Sequence, residues 1–580
     1  MSEVTTKKAG RNLIKTILII LVILLVYAIT VQVTQINLDK ALDPERQEGL
    51  VRILRQLADP DIVGVDKDTG SYILSETTKI TIERIIETIF MALVASTIGT
   101  ALAVPISFLG ARNLMEDIVA PLASVMAAIV ALPIGAFIGI YITNQLLRIP
   151  EQVSLKSIAG LPVVLGLILA LLVSLAILWI IQRLRIQIPR DEHLSPFQRF
   201  AGVVLLALSI MISLVGLGLV AYLGLEVGDW LRDSLQFFTF LGINFFGFIG
   251  DMVYVLSDFL RLLLPAAVAL FAGVILASYA GRYSQEAVLG WPATPSGLLT
   301  AVLALLGAFV ISYGIGAFWN WLYEFDSAQN TILVPAIVGG LIIGVLGLTL
   351  VKRGAGPARL LIGLGMAAGS AFLILQVSEA LNQALNVDTV QSYMATPALI
   401  TGVIAGIIGG VGKPDHPYGV GFGIYTVTRA ILNFLRSIEP LIMGIVFVVW
   451  VSLGPFAGIM ALTLHSIAAL GKLFSEQVEG IDEGPVEAIT ATGASRLQMV
   501  IFAVVPQIIP PFTAFALYRW DINVRMSTII GFVGGGGIGF VLSQNIAQLR
   551  YRQASVMMLS IAIVVATLDY ASAKIRSRII

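Results

Sequence analysis

The chain of 580 residues contains no cysteine and only three histidines, His193, His416 and His465, which are far apart in the sequence. The missing thiols exclude a disulfide framework, a thiolate metal site and a cysteine nucleophile, and the scattered imidazoles argue against a zinc site. Charged residues make up only 12% of the chain, whereas soluble domains carry about 25%. A soluble globule of this size could not cover its surface with so few charges. The composition therefore excludes a soluble enzyme, a disordered protein and a nucleic-acid-binding protein.

The charges that are present balance, because lysine plus arginine and aspartate plus glutamate each number 36. A chain of zero net charge is not expected to bind a polyanion such as nucleic acid. Apolar residues, in contrast, are abundant, at 57% of the chain. We therefore predict an all-α, polytopic membrane protein with no catalytic residue, no metal ion and no cofactor bound to the chain itself.

Apolar stretches long enough for a transmembrane helix number about fourteen. The first runs from Leu13 to about Val31 and the second from about Arg84 to Phe108. The other spans are placed near 117–146, 158–182, 200–224, 259–280, 297–320, 331–351, 358–380, 394–412, 430–452, 455–474, 498–522 and 555–573. The stretch 233–258 is rich in Phe and Gly but is broken by Asp251 and Asp258, so it is also compatible with an interfacial or re-entrant segment.

The distribution of basic residues predicts the orientation of the spans. Connections on one side carry bases such as Arg183, Arg282 and Lys413, whereas those on the other side carry acids such as Asp229 and Glu324. Because basic residues are retained in the cytoplasm, we place the first side there, together with both termini.

The most informative polar segment runs from Glu476 to Pro511 and falls on the cytoplasmic side. Pro485 is tolerated in the first turn of a helix, and the acidic residues before it suit a positive helix N-terminus. Gly493 suits the left-handed turn that ends a helix, and Ser495 can cap the next one. The segment predicts a short helix, Val486–Thr492, a glycine turn and a second helix, although an ordinary polar loop remains open.

Two glycine-containing stretches superficially match nucleotide-binding motifs. Gly534–Gly539 satisfies G-x-G-x-x-G, but it follows a membrane span rather than a strand, which favours a flexible or closely packed break in the membrane. Gly412-Lys413 is followed by Pro414 where a phosphate loop has Ser or Thr. The sequence therefore predicts that, if ATP powers this protein, another polypeptide hydrolyses it.

The polar segment resembles the EAA signature of ABC importer permeases, Glu-Ala-Ala-x3-Gly-x9-Ile-x-Leu-Pro. Four positions match it in register, namely Glu487, Ala488, Gly493 and Pro506. Three others exchange one apolar residue for another, namely Ile489, Ala503 and Val505. Ala494 and Ser495 extend the match toward phosphonate-type permeases in particular. In that family the loop is a coupling helix that docks on a separate ATPase subunit, so the resemblance implies this role for residues 476–497.

Further blocks also resemble phosphonate-type permeases. They comprise Glu87–Ile89, Pro105, Ala111–Leu114, Leu453–Gly458, Gly471–Phe474, Val505–Gln507, Leu517–Trp520, Asn523–Arg525 and Gly531–Gly539. One block departs, because Glu439 precedes Pro440 where the family has the opposite order. The family's blocks are normally contiguous, whereas here about 300 residues separate them. The middle of the chain therefore reads as an insertion into a permease core.

This interpretation divides the chain into five segments. They are an N-terminal anchor helix, 1–35; an external amphipathic segment, 36–80; the first part of the permease core, 81–115; an inserted multi-helix membrane bundle, 116–417; and the second part of the core with its coupling loop, 418–580. Only an even number of inserted helices keeps the coupling loop on the ATPase side, and eight are counted. The bundle is either a peripheral addition or a regulatory or substrate-contacting module.

Charged and polar residues at membrane depth mark a candidate translocation path, because such residues usually face a cavity or a partner. They are Arg519, Asp521, Asn523, Arg525 and Ser527, followed by the glycines Gly534, Gly537 and Gly539. Asp521 and Arg525 have the favourable order for a helical ion pair. A guanidinium matches phosphonate geometry, so Arg525 could line the route of an oxyanion. The alternative is an interfacial cluster whose long side chains snorkel to water.

The resemblance implies the permease subunit of an ATP-driven ABC importer in the cell inner membrane, surrounded by lipid. The expected partners are a cytoplasmic ABC ATPase subunit, an extracytoplasmic substrate-binding protein and a second copy of the chain. The expected substrate is phosphonate or a related small oxyanion. Two alternatives stay open, an ion-coupled secondary transporter and a membrane scaffold without transport.

Overall fold

The computed structural model describes residues 2–34, 43–65, 72–155, 162–186, 196–234, 245–324, 328–348, 356–387 and 389–579. Helices contain most of these residues. In chain order they are α1 (Ser2–Thr34), α2 (Pro44–Leu57), α3 (Glu76–Leu109), α4 (Arg112–Met115), α5 (Leu122–Leu155), α6 (Val163–Ile186), α7 (Pro196–Ser234), α8 (Phe245–Gly290), α9 (Ala293–Tyr323), α10 (Ala328–Gly347), α11 (Gly356–Ala384), α12 (Val390–Val411), α13 (Val420–Ser437), α14 (Pro440–Val451), α15 (Pro455–Glu479), α16 (Glu483–Ala491), α17 (Arg496–Met499), α18 (Val505–Gly531), α19 (Gly537–Ala547) and α20 (Tyr551–Ile579). A π-helical turn, Val500–Val504, joins α17 to α18. The short strands are β1 (Val63–Val65), β2 (Tyr72–Leu74), β3 (Ala120–Pro121) and β4 (Pro417–Tyr418).

Within the described residues, 13 helical segments are long and apolar enough to cross a membrane, and the bent pair α13–α14 would make a fourteenth span. The prediction of an all-α membrane protein with about 14 spans is therefore confirmed. The segments between 116 and 417 are α5 to α12, which agrees with the eight helices expected there.

The structure resolves the ambiguous stretch 233–258 where it is described. Residues 245–258 are the first turns of α8, which continues without a break to Gly290, so a re-entrant segment is wrong there. The two aspartates that break the stretch each have an arginine partner: Asp251 lies 3.7 Å from Arg232 of α7, and Asp258 lies 2.7 Å from Arg261. Residues 235–244 lie outside the described residues.

The expected span 430–452 is not one helix. It consists of the end of α13 and the whole of α14, whose axes differ by 87°. Pro440 starts α14, and Ile438 before it has an extended backbone. A proline cannot donate to a preceding helical carbonyl, so the helix ends and restarts at this point.

One compact unit consists of Met1–Ile85 together with Val541–Val564. Its apolar segment Lys15–Val33, within α1, has no residue buried by the rest of the protein, as expected of an anchor that is surrounded by lipid. The described part of the expected external segment 36–80 contains α2, the antiparallel hairpin of β1 and β2, and the start of α3. Residues 36–42 and 66–71 of it lie outside the described residues.

The connection after α2 is fixed to the start of α20 within the same unit. The carboxylate of Asp59 lies 3.2 Å from the guanidinium of Arg552, whose Nε also donates to the carbonyl of Asp59 at 3.1 Å. The backbone N–H of Asp61 donates to the carbonyl of Arg552 at 3.3 Å. Side-chain and backbone contacts thus tie this connection to the first turn of the C-terminal span.

The other unit, Ile86–Phe540 with Val565–Ile580, contains the bundle α5 to α12. In it α5 packs along α8, α9 along α12 and α10 along α11. Small residues bring the axes close together: a Cβ added to Gly139 of α5 would lie 2.9 Å from the carbonyl oxygen of Val268 of α8. Close backbone contact of this kind is how helices associate in membranes, where no hydrophobic effect drives them together.

The chain enters and leaves this bundle at one point. Strand β3, just before α5, pairs with β4, just after α12, with Ala120 opposite Tyr418. The N–H of Gly421 donates to the carbonyl of Ile118 at 3.0 Å. A Cβ on Gly421 would lie only 1.8 Å from the carbonyl oxygen of Met115, so this position requires glycine. We call this paired segment the bundle junction.

The remaining helices of the same unit pack around an apolar core formed by α3, α15 and α18. Its fully buried side chains include Leu470, Phe474 and Val504. The rings of Phe474 and Phe512 are stacked with centroids 3.9 Å apart. This core holds together the helices that carry the candidate path and the coupling loop.

Candidate functional site

The predicted coupling loop contains a short helix, α16, whose start and end are each defined by a specific residue. The carboxylate of Asp482 accepts the N–H of Gly484 at 3.1 Å, which satisfies one of the free donors at the helix N-terminus. After Thr492, Gly493 has a φ of +78°, the left-handed conformation that ends helices. The predicted short helix and glycine turn are therefore confirmed, with observed bounds Glu483–Ala491.

The second helix of the loop begins with a capping box. The hydroxyl of Ser495 accepts the N–H of Gln498, and the side chain of Gln498 accepts the N–H of Ser495 at 2.7 Å. This confirms the predicted cap at Ser495. Among the residues matched to the EAA signature and its extension, Glu487, Ala488, Gly493, Ser495 and Pro506 are exposed and Ala494 is half-buried. The loop thus presents most of its matched residues to a partner.

Prolines and a π turn follow the loop. Pro506, Pro510 and Pro511 have no N–H to donate to the carbonyl four residues earlier, and the π-helical turn Val500–Val504 lies directly before the first of them. The side chain of Gln507 connects α18 to the residue before α16, because its Oε1 accepts the N–H of Asp482 at 2.9 Å. The helix that enters the membrane is thus connected to the start of α16 by a side chain as well as by the chain.

An arginine outside every recognised motif, Arg429, holds the base of the loop. Arg429 of α13 lies 2.8 Å from Glu479 and 3.6 Å from Glu476, both in the last turn of α15. Its Nε donates to the carbonyl of Gly110 at 2.8 Å, and its side chain is 14% exposed. The guanidinium therefore joins three segments, the end of α3, α13 and the end of α15, just before α16 begins.

The turn after α3 completes this contact. The N–H of Arg112 donates to Glu479 at 2.7 Å, and the side-chain amide of Asn113 donates to the carbonyl of Val478 at 2.8 Å. The guanidinium of Arg112 also hydrogen-bonds Glu116, which lowers the pKa of that exposed carboxyl and raises the pKa of Arg112. We call Arg429, Glu476, Glu479, Arg112 and Asn113 the loop anchor.

The candidate path residues of α18 lie on two faces of that helix. Arg519, Asn523 and Ser527 are buried on one face, where Asn523 donates to Ser96 of α3 and to Ser466 of α15, both at 2.9 Å. Arg519 Nε donates to the same Ser466 hydroxyl at 3.1 Å. These five residues form a polar seam inside the apolar core.

The other face carries the ion pair that the sequence spacing predicts. Asp521 accepts a hydrogen bond from Arg525 four residues later, so the predicted pairing is confirmed. The two partners differ in environment, because the Asp521 side chain is 1% exposed and that of Arg525 is 50% exposed. The snorkelling interpretation therefore fits Arg525 but not the buried residues of the seam.

The glycine run is a closely packed break between α18 and α19. Gly534, Gly536 and Gly537 all have positive φ values, of 96°, 79° and 70°. The carbonyl of Gly534 accepts the N–H of Gly454 at 2.9 Å, and a Cβ on Gly539 would lie 1.9 Å from the carbonyl oxygen of Thr528. Helix α18, not a strand, precedes the run, so this G-x-G-x-x-G is not a dinucleotide-binding turn.

Two side chains of α3 hold this break in place. Glu87 Oε1 accepts the N–H of Gly537 at 3.2 Å, and Thr88 Oγ1 accepts the N–H of Ile538 at 2.8 Å. Both oxygens therefore cap the N-terminus of α19 from another helix. Within the part of the chain that the structure describes, no group of three His, Asp or Glu side chains is arranged to hold a metal ion.

Comparison with known proteins identifies the second part of the chain. Residues 398–573 match the family described as binding-protein-dependent transport system inner membrane component. A phosphite transport system permease protein of Stutzerimonas stutzeri is 38% identical over 192 residues, which are 33% of this chain and 68% of that protein.

Two further relatives agree. A phosphate-import permease protein of Mycolicibacterium smegmatis is 36% identical over 31% of this chain and 33% of that protein. A protein of Escherichia coli K12 named for a cryptic phosphonate transport system permease is 41% identical over 21% of this chain and 99% of that protein. On the strength of the two relatives that are matched over more than two thirds of their length, this chain belongs to the family of binding-protein-dependent transport system inner membrane components.

Proposed function

We propose that this chain is the transmembrane subunit of an ATP-driven importer and that a separate cytoplasmic ATPase docks on α16. The observation that carries this proposal is the construction of the loop, an exposed helix capped at both ends. The loop anchor and Gln507 attach it to the helices that line the core. A rigid helix held this way can transmit the movement of a docked subunit to α18.

Co-purification of the full-length chain with a co-expressed ABC ATPase subunit tests this proposal. Glu487→Lys reverses an exposed charge on α16, and Gly493→Pro removes the only residue type that adopts the left-handed turn easily. We expect both variants to lose the ATPase while remaining in the membrane. Glu48→Lys, on the exposed face of α2, is the matched control and should keep it. Retention of the ATPase by both α16 variants would favour a secondary transporter or a scaffold instead.

We propose further that the substrate is a small phosphorus oxyanion delivered by an extracytoplasmic binding protein. The relatives are named for phosphite, phosphate and phosphonate transport, which share a tetrahedral, anionic group. The polar seam and the half-exposed Arg525 supply hydrogen-bond donors at membrane depth, as an oxyanion requires. In this proposal Asp521 positions Arg525, and the glycine break beside them allows close helix packing along the route.

We also propose that the chain works as a homodimer in the inner membrane, with both termini in the cytoplasm. Helix α14 supports this, because Ile442, Val446, Val449 and Trp450 form an exposed apolar stripe at helical spacing. A second copy could cover this stripe, whereas lipid would cover the exposed apolar residues of α1. The mass of the purified complex distinguishes one copy from two.

A further inference from the structure

Arg519 is a buried cation without a counter-charge. The residue is 7% exposed, and its Nε donates to the neutral hydroxyl of Ser466. Its Nη2 is buried and has no hydrogen-bond partner among the described residues, and none of their carboxylates lies within ion-pairing distance. Isolated buried charges cost several kcal/mol in proteins, so such a group normally has an anionic partner.

The neighbouring arginine does not share this situation. Arg525 is half-exposed and already paired with Asp521, so its charge is compensated and partly hydrated. Both arginines lie on α18 only six positions apart, yet only Arg519 keeps donors that point into the core with nothing to receive them. The two arginines look equivalent in the sequence, but in the structure only the charge of Arg525 is compensated.

Ser466 provides a second free donor beside Arg519. Its oxygen accepts both Arg519 Nε and Asn523 Nδ2, which occupies its two lone pairs. Its own hydroxyl hydrogen therefore has to point elsewhere, and within the described chain it finds no acceptor. Two free donors, Arg519 Nη2 and the Ser466 hydroxyl, thus belong to groups that are hydrogen-bonded to each other at 3.1 Å.

A free acceptor lies in the same seam. Asn523 Oδ1 is a buried acceptor that has no partner in the described part of the chain. The hydroxyl of a singly protonated tetrahedral oxyanion could donate a hydrogen bond to that amide oxygen, while its other oxygens accept hydrogen bonds from the two donors.

We propose that Arg519 and Ser466 form a buried subsite for a small tetrahedral oxyanion, with Asn523 contacting the hydroxyl of its protonated form. The inference rests on the proposed function for its substrate class, and it assigns direct contact to Arg519 rather than to Arg525. The seam joins α3, α15 and α18 and is buried, so in this proposal the anion reaches the subsite only when these helices separate.

Thermal unfolding of the full-length chain in lipid nanodiscs, titrated with sodium phosphite, tests this subsite. Phosphite should raise the unfolding temperature of the wild type, and Arg519→Gln should weaken its apparent affinity by about 10- to 100-fold, the range expected for lost hydrogen bonds to a charged group. Without phosphite, Arg519→Gln should unfold at a higher temperature than the wild type, because it removes an unpaired buried charge. A merely structural arginine would give the opposite shift.

Matched variants make the result specific. Arg282→Gln removes an exposed arginine of α8 and should leave the phosphite titration unchanged. Ser466→Ala keeps Arg519 and removes only the second donor, and Arg519→Lys keeps the charge without the planar fork, so both should bind phosphite more weakly. These two variants carry the test if Arg519→Gln fails to fold. An absence of phosphite stabilisation in the wild type, or an equal loss of affinity in Arg525→Gln, would overturn the proposal.

The same preparations separate this subsite from the proposed function. Arg519 belongs neither to α16 nor to the loop anchor, so the Arg519→Gln variant should still co-purify with the ATPase. If the wild-type chain does not co-purify with the ATPase but binds phosphite in a way that depends on Arg519, the importer proposal is refuted and the subsite stands. If the wild-type chain co-purifies with the ATPase but its phosphite binding does not depend on Arg519, the subsite is refuted and the importer proposal stands.

Discussion

Glu87 and Thr88 are neighbours on α3, and each accepts a backbone N–H from the first turn of α19. The side chain of the residue just before a helix normally caps its N-terminus, but the residues just before α19 are glycines and have no side chain to do so. A carboxylate also suits the positive end of the helix dipole. The glycines allow the approach, since a Cβ on Gly536 would lie 3.1 Å from Glu87 Oε1.

Removing this cap should destabilise the protein in a way that depends on the replacement. Glu87→Ala leaves the buried N–H of Gly537 without its acceptor, which costs about 1–3 kcal/mol. Glu87→Gln keeps an oxygen acceptor at the same position, so its loss should be smaller. Thermal unfolding of both variants in the same detergent measures the difference. Equal losses would mean that the negative charge, and not the hydrogen bond, matters at this position.

Local spacing predicts only some of these residue contacts. The pairing of Asp521 with Arg525 follows from their positions four apart on one helix, and the cap at Ser495 follows from the residue itself. The isolation of Arg519 could not be predicted, because its partner Ser466 lies 53 residues away on another helix. Only the fold shows which charges are compensated.

At the scale of elements, the loop anchor determines where α16 begins. Arg429 contacts Glu476 and Glu479 of α15. It also donates to the carbonyl of Gly110, which follows α3, and Glu479 accepts the N–H of Arg112. Gly480 and Ile481 then lead directly into the N-cap of α16. A side chain that is 14% exposed thus controls the position of an exposed helix.

Arg429→Ala should loosen this base and make the loop more accessible to protease. Trypsin cleavage after the exposed Arg496 should become faster, because α16 and α17 lose their fixed support. Mass spectrometry of timed digests measures the rate. Arg282→Ala, which breaks an exposed ion pair of α8, is the control and should leave the rate unchanged. Unchanged cleavage in Arg429→Ala would show that the apolar core alone fixes the loop.

Some helix boundaries follow from the residues beside them, whereas others depend on packing against distant helices. Apolar length predicts nearly every span, and Gly493 predicts the end of α16. The 87° bend before Pro440 and the π turn Val500–Val504 were missed, although prolines lie beside both. A proline indicates that a helix is weakened, but the packing of neighbouring helices determines whether it bends, restarts or continues.

For the whole molecule, the bundle junction brings together two points of the chain that are about 300 residues apart. Ala120 pairs directly with Tyr418, and Gly421 contacts the backbone at Ile118 and Met115. Chain ends that lie this close together are typical of positions where a domain can be inserted or removed. We therefore propose that the core closes on itself without α5 to α12.

Replacing residues 121–417 by a short glycine linker tests this proposal. If the bundle is a peripheral addition, the shortened chain should insert into the membrane and keep the ATPase bound to α16. In the full-length chain, Gly421→Val should instead disturb the junction itself, because its side chain would collide with the carbonyl of Met115. Expression level and ATPase co-purification measure both. Loss of the ATPase from the shortened chain alone would show that the bundle supports the core.

The order in which the chain is made gives the polar seam a further consequence. Ser96 and Asn523 are 427 residues apart, and Glu87 and Gly537 are 450 apart, so neither contact can form until synthesis is nearly complete. The helices of the bundle, in contrast, pack against partners within the same continuous stretch and can assemble first. During that interval Ser96 and Glu87 of α3 cannot yet make these two contacts. The last 60 or so residues therefore complete the transport core, and a chain cut short by even that much would carry a finished bundle with an unfinished core.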